Sequence, residues 1–150
     1  MAWKLGKNTD HRTPDLIEID YANGDATAEI TQGDLVTNTN GVFSVAVTGG
    51  TIMGIAVTKY DPPTLQDSGD YVGLVLPITK DTMIEATLKA ATAKSSITLY
   101  EGYDIDGATI DATATTNGDF VVTDYGKIDY ATGDVLTVYG YFKNAYGARS

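Results

Sequence analysis

The stretches ITQGDLVT (residues 30–37) and YATGDVLT (residues 130–137) decide how this sequence is interpreted, because each sets Gly-Asp before two branched aliphatic residues and a threonine. Gly-Asp recurs at 24–25, 69–70 and 118–119. Glycine adopts positive φ at low cost, and aspartate accepts hydrogen bonds from nearby backbone N–H groups. We therefore predict that these dipeptides are turns that begin strands, rather than catalytic carboxylates or metal ligands. The residues concerned in the two quoted stretches are Gly33, Asp34, Gly133 and Asp134.

Short runs of β-branched and aromatic residues recur along the chain between Gly, Asn and Asp, which is typical of strands joined by turns. These runs lie at 16–20, 34–38, 42–47, 51–57, 71–77, 83–88, 96–100, 119–123 and 134–142. Residues 80–94 could form a helix, but the alternation of Ile84, Ala86 and Leu88 with polar residues favours a strand, with a short helical turn near 89–94 as the alternative. We predict an all-β fold with little or no helix, either a compact β-sandwich or a small β-barrel.

A chain of 150 residues is most simply one domain. We expect an extended N-terminal arm over residues 1–15, a single β-rich domain over 16–142 and a short C-terminal tail over 143–150. Residues 101–118 are weakly apolar and are expected to form a long excursion between strands.

Charge is unevenly distributed around a net value of −10. The arm and the tail are both basic, so the body between them is strongly acidic and would repel phosphate backbones, which argues against nucleic acid as a partner. No apolar run approaches the ~20 residues of a membrane span, so we expect no membrane partner. The basic ends are either docking arms for an acidic surface or solvated termini.

The residue types that perform catalysis are scarce in this sequence. It has no cysteine, and its one histidine, His11, lies in the arm. The stretch DIDGATID (104–111) lacks the ligand spacing of an EF-hand, so we expect a solvated acidic loop there. Paired carboxylates for glycoside cleavage remain open, although nothing singles out a pair. We predict that the protein is not an enzyme and uses no metal or cofactor.

Aromatic residues offer a candidate for binding. Tyr139 and Tyr141 alternate with other residues and should share one sheet face, where they either pack across strands or form an adhesive surface for protein or sugar. Trp3 is the only tryptophan and lies in a polar, basic segment. It should pack on its own domain, on another copy or on another protein, and we favour an intermolecular contact.

Several segments between residues 30 and 142 resemble the head decoration, or cement, proteins of tailed bacteriophages. They are ITQGDLVT, NGVFSVAVTGGTIMGIAVT (40–58), MIEATLKAATA (83–93) and NGDFVVTDYGKIDYATGDVLTVYGYF (117–142). An early Gly-Asp-Leu-Val strand, a strand similar to MGIAV (53–57) and an Asp-x-x-x-Gly-Asp turn before the last strand carry the resemblance. The tail after Phe142 and the arm before Thr13 have no counterpart in the pattern.

The resemblance implies a β-rich protein, commonly a homotrimer, that binds the outside of an icosahedral head and bridges major capsid subunits. Such a protein would be made in the host cytoplasm and reside on the outer capsid surface of the virion. We hypothesise that residues 1–12 reach neighbouring subunits. The expected capsid contacts are Trp3, Lys4, Leu5, Lys7 and Arg12.

Two other functions compete with decoration. The first is a phage tail, baseplate or cell-surface module that binds polysaccharide through a tyrosine face containing Tyr139 and Tyr141. The second is a small hydrolase with paired carboxylates.

Overall fold

The computed structural model describes residues 3–8, 16–19, 29–39, 42–61 and 73–145. Strands dominate this part of the chain, with a single turn of 3₁₀ helix at Lys94–Ser96, so the all-β prediction is confirmed. No helix among these residues has the length and apolar character needed to cross a membrane. The strands are β1 (Trp3–Asn8), β2 (Ile17–Ile19), β3 (Leu35–Thr39), β4 (Val42–Val45), β5 (Gly54–Ala56), β6 (Gly73–Pro77), β7 (Thr82–Thr92), β8 (Gly102–Asp106), β9 (Thr109–Asp111), β10 (Phe120–Tyr125) and β11 (Val135–Phe142).

Five of these strands form a closed barrel in the order β7-β11-β10-β8-β9. The barrel closes where Leu88 of β7 pairs in parallel with Ile110 of β9, so the predicted alternative of a small barrel is confirmed. β1 pairs antiparallel with the first half of β7, on the same edge that β9 uses further along. β7 has eleven residues, so the same edge is long enough to pair with β1 in its first half and with β9 further along.

The barrel interior is filled by residues that alternate along each strand, as a pleated strand requires. On β7, Ile84 and Ala86 are fully buried, which answers the question of helix or strand in favour of strand. Phe120 and Phe142, paired across β10 and β11, meet edge to face with ring centroids 5.0 Å apart. Aromatic pairs in this geometry are worth about 1 kcal/mol beyond their burial.

The second sheet has the order β2-β6-β5-β3-β4 and contributes to a hydrophobic cluster on each face. Leu35 and Ile55 belong to the same hydrophobic cluster as the barrel interior. Their neighbours Val36 and Ala56 point the other way, into a second cluster with Phe43 and other residues. One face of the sheet is therefore part of the barrel's core, and the two units share one apolar interior.

Two sequence predictions inside the barrel are wrong. Residues 96–100 do not form a strand, because the 3₁₀ turn ends at Ser96 and a further turn follows at Leu99 and Tyr100. Ile97 is buried without a ladder partner, and Tyr100 adopts a φ of +68°. Residues 101–118 are not a structureless excursion, because they contain β8 and β9. There the buried Tyr103 and Ile105 alternate with Asp104 and Asp106, and these acidic residues hid the strand pattern.

The predicted boundaries of the arm and the tail also need correction. Residues 3–8 of the expected arm form β1, because the edge of β7 at Thr82–Ala86 offers them a ladder of backbone hydrogen bonds. Residues 143–145 of the expected tail are built into the fold. Ala145 bridges to Ile52 and is buried in the shared core. Arg12 and the remainder of the arm and tail lie outside the described residues.

Candidate functional site

Asp119 joins the barrel to the second sheet. Its carboxylate is 2% exposed and accepts three hydrogen bonds, from Thr48 Oγ1 at 2.8 Å, the Gly49 backbone N–H at 2.8 Å and the Ile105 backbone N–H at 3.1 Å. Thr48 and Gly49 lie in the connection between β4 and β5, whereas Ile105 belongs to β8. Because a buried carboxylate needs such partners, Asp119 holds this connection against the barrel. We call this contact the Asp119 latch.

A second buried aspartate orders the loop that leads to the latch. Asp104 on β8 accepts hydrogen bonds from the backbone N–H groups of Asn117 and Gly118, at 2.8 and 2.7 Å. Asn117 also donates a side-chain hydrogen bond to Thr48 at 3.2 Å. Gly118 has a φ of +59°, so its lack of a side chain allows the turn that aims Asp119 inward. The carboxylates of Asp104 and Asp119 therefore stabilise the fold by accepting hydrogen bonds from neighbouring loops and strands.

The predicted turn residues lie at the starts of strands. Gly33 has a φ of +92°, and Asp34 accepts a hydrogen bond from the Thr31 backbone N–H at 2.8 Å just before β3. Gly133 has a φ of +77° and donates its backbone N–H to the Asp129 carbonyl at 2.7 Å, just before β11.

In that second turn the side chain that accepts a backbone hydrogen bond belongs to Asp129, which receives the Ala131 N–H at 2.9 Å. The Asp134 carboxylate is half-buried, and its backbone N–H is held by Thr132 Oγ1 at 3.2 Å. The two quoted stretches thus share a backbone shape but differ in which aspartate supports it.

A cationic side chain lies between two carboxylates where the barrel closes. Lys89 forms ion pairs with Asp106 and Asp111, and its hydrogen bond to Asp106 is the main reason that the pKa of Lys89 is raised. Hydrogen bonds from Thr113 chiefly lower the pKa of Asp111. The carboxylates therefore meet an ammonium group rather than each other. Among the described residues, no three His, Asp or Glu side chains converge as a metal site would require.

Tyr141 lines an open groove of about 380 Å³ on the outside of the barrel. We call it the Tyr141 groove. Its other lining residues are Lys80, Asp81, Thr82, Met83 and Thr123. An aromatic wall next to hydroxyl, ammonium and carboxylate groups can stack on an apolar ring face while exchanging hydrogen bonds at its rim.

The other predicted contact residues are not all brought to this groove. Tyr139 is half-buried on the same face of β11, opposite Glu85 of β7 and Asp124 of β10. Trp3, Lys4, Leu5 and Lys7 lie on β1, beyond β7 in strand order. Their side chains fall outside the described part of the chain, and so does Arg12.

No protein-family model matches this chain, and no curated protein sequence is significantly similar to it.

Sequence reasoning missed the Asp119 latch and the Lys89 ion pairs. Asp119 looked like one more Gly-Asp turn, and only its burial distinguishes it. Lys89 and its partners are separated by 17 to 22 residues in sequence and meet because the barrel closes between Leu88 and Ile110. The only sequence signal for this contact was a lysine in a predicted strand with an acidic segment further along the chain.

Proposed function

We propose that this chain is a structural protein of a tailed-bacteriophage head, which decorates the outer surface of the capsid and stabilises it. Its partner would be the major capsid protein, and its location would be the outside of the virion. The resemblance also implies a homotrimer, in which three weak contacts reinforce one another through effective concentration.

The observation that carries the proposal is that the segments with the resemblance build one continuous core. ITQGDLVT supplies Leu35, MGIAV supplies Ile55 and the last segment supplies Phe120 and Val138, and all four side chains belong to one hydrophobic cluster. If the resemblance were confined to scattered turns, the resembling segments would not be expected to contain residues that pack together in one core. This supports a shared fold rather than a coincidence of short strings.

The joint between the barrel and the sheet suits a protein that bears load. The shared core and the Asp119 latch both resist separation of the two units, since separation would expose apolar surface and a buried carboxylate. A protein that bridges capsid subunits must transmit force without opening. The fold therefore fits a scaffold role, independently of any pocket.

The hypothesis about the N-terminal contacts takes a modified form. Residues 3–8 form β1, which is the outermost strand of its sheet in the described part of the chain. Lys4 and Lys7 therefore lie at a sheet edge instead of on a free arm. We infer that this edge, along which Lys4 and Lys7 lie, contacts acidic capsid subunits.

The test is binding to empty heads assembled from the major capsid protein of the phage that carries this sequence. We expect saturable co-sedimentation of the wild type and a higher melting temperature of the decorated heads. The double variant Lys4→Glu and Lys7→Glu should lose at least tenfold in affinity. A matched control is Lys127→Glu, an exposed lysine in the β10–β11 connection, which should bind normally. Failure of the wild type to bind contradicts the proposal, and equal binding by all variants contradicts only the edge contact.

A second candidate function, polysaccharide binding, is favoured by the Tyr141 groove. Stacking of a sugar ring on Tyr141, with hydrogen bonds to the Lys80 and Asp81 side chains, is within the reach of these groups. A glycan array probed with the wild type and with Tyr141→Ala tests it. Tyr130→Ala is the control, because Tyr130 is fully exposed and does not line the groove. Retention that Tyr141→Ala alone abolishes would favour this function, and no retention would exclude it for the glycans tested.

A further inference from the structure

The segment from residue 35 to residue 58 contains no charged residue, although charged residues make up 20% of the chain. It includes β4, which is the last strand of its sheet in the described part of the molecule. Natural edge strands are usually protected by lysine, proline or a bulge, because an open edge pairs with other strands. β4 has none of these. Its sequence is VFSV, and its pairing with β3 is regular.

The hydrogen-bond pattern shows which backbone groups face the open edge. The Ala46 N–H donates to the Leu35 carbonyl at 2.8 Å, so position 46 bonds toward β3. In an antiparallel ladder every second residue bonds to the same neighbour, and therefore positions 42 and 44 also face β3. Phe43 and Val45 then direct their N–H and C=O groups outward. The same alternation holds on β3, where the Val36 carbonyl bonds to Met53 on the other side.

The side chains of β4 leave apolar surface uncovered. Val45 is 40% exposed beside the buried Val36 and Phe43, and Val42 is 36% exposed on the opposite face. Both valines lie at the edge where a further strand would cover them.

We propose that β4 pairs with β4 of a second copy of this chain, antiparallel, about a twofold axis that passes next to Ser44. In this register Phe43 is opposite Val45 of the other copy and Val45 is opposite Phe43. The outward groups then form four backbone hydrogen bonds, and the two five-stranded sheets become one sheet of ten strands.

The same register accounts for the exposed valines. Val45 packs against Phe43 of the other copy on one face, and Val42 packs beside Ala46 of the other copy on the other face. Opposed residues in an antiparallel ladder have their side chains on the same face, so these contacts follow from the pairing.

The distribution of charge along the chain favours a second copy of this chain as the partner of the β4 edge. Two chains with a net charge of −10 repel each other over most of their surfaces, and the charge-free segment lets them approach without opposing like charges. The strand is also self-complementary about Ser44, as an isologous contact requires. The pairing uses a single edge and is compatible with a threefold contact elsewhere, so it does not depend on the proposed function.

The first test is the mass of the full chain in solution by sedimentation velocity. We expect an even number of copies for the wild type and half that mass for Val45→Lys, which places a charge at the edge without entering the core. The matched control Leu136→Lys changes a residue of similar exposure, 37%, on β11 and should keep the wild-type mass. A monomeric wild type, or a mass that Val45→Lys leaves unchanged, overturns the proposal.

The second test is disulfide trapping, which requires no loss of folding. The chain has no cysteine. In the proposed register the two Ser44 residues form a non-hydrogen-bonded pair with Cα atoms about 4.5 Å apart, within the range for a disulfide. Ser44→Cys should therefore form a covalent dimer under mild oxidation. Val47→Cys is more exposed but should lie about 20 Å from its copy and stay monomeric under the same conditions. Equal cross-linking of the two variants, or none, contradicts the register.

Discussion

Replacing Asp119 by alanine tests whether the latch holds the barrel and the sheet together. The carboxylate is buried and receives one hydroxyl and two backbone N–H groups, at 2.8, 2.8 and 3.1 Å. Alanine removes all three acceptor contacts. Thr48 and Gly49 are exposed, so water can replace part of what they lose, but the Ile105 residue is buried on β8.

The expected magnitude follows from these differences in burial. Hydrogen bonds to a charged group are worth about 1.5–3 kcal/mol each, while the desolvation of the carboxylate opposes them by several kcal/mol. After the substitution the buried Ile105 N–H is left without an acceptor, at a cost of about 1–3 kcal/mol. Loss of the hydrogen bonds from Thr48 and Gly49 in the β4–β5 connection should cost about 1 kcal/mol more. Asp119→Ala should therefore lower the free energy of unfolding by about 2–4 kcal/mol.

Urea denaturation followed by circular dichroism measures this change, and amide hydrogen exchange shows where it acts. We expect the Gly49 amide to exchange faster in Asp119→Ala. The matched control is Asp134→Ala, which alters the same dipeptide where the carboxylate is half-buried and should change stability by less than about 0.5 kcal/mol. A loss below 1 kcal/mol in Asp119→Ala, or an equal loss in both variants, would refute the reasoning.

Three further predictions concern pH, packing and backbone strain. The lowered pKa of Asp111 means that its charge stabilises the fold above the ordinary value of 3.8. The stability difference between the wild type and Asp111→Asn should therefore shrink as the pH falls below that value. Gly140→Ala should lose about 3 kcal/mol or more, because a Cβ there would overlap the Val121 carbonyl oxygen and the Phe120 ring. Tyr100→Gly should gain about 1 kcal/mol, because Tyr100 has a φ of +68° and a side chain that is 75% exposed.

A different result would contradict each of these three predictions. A stability difference for Asp111→Asn that is constant between pH 7 and pH 3 would show that the hydrogen bonds from Thr113 do not favour the charged form. Gly107 is the control for Gly140, since open space surrounds its missing Cβ and only its φ of +57° opposes alanine, at about 1 kcal/mol. Equal losses at the two glycines would refute the packing argument. A destabilised Tyr100→Gly would show that the exposed ring makes a stabilising contact.

Local signals in the sequence predicted the β class and most of the strands. In β7 the alternation of Ile84, Ala86 and Leu88 outweighed the helical periodicity of the surrounding segment, and these residues do point into the barrel. The prediction failed where acidic residues alternate with apolar residues along a strand. Asp104 and Asp106 made β8 look like a loop, because an acidic residue in a strand carries the same sequence signal as one in a turn, even where it is buried as Asp104 is.

The candidate site was less accessible to prediction than the fold. The sequence indicated that Tyr139 and Tyr141 share a face, but the groove beside Tyr141 also needs Lys80 and Thr123, which other strands and turns bring near. The dipeptide Gly-Asp occurs at both 33–34 and 118–119, but only the carboxylate of Asp119 is buried between the barrel and the second sheet. Burial is a property of the assembled fold, so a dipeptide cannot reveal it.

The shared core has a consequence for folding during synthesis. Leu35 and Ile55 are made early, whereas Phe120, Phe142 and Ala145 of the same hydrophobic cluster are made later. Until then the uncharged segment 35–58 has part of its apolar face in water, at the stage when nascent chains associate most readily. The last strand of the barrel and the bridge from Ala145 to Ile52 therefore complete a surface that the first half of the chain cannot close by itself.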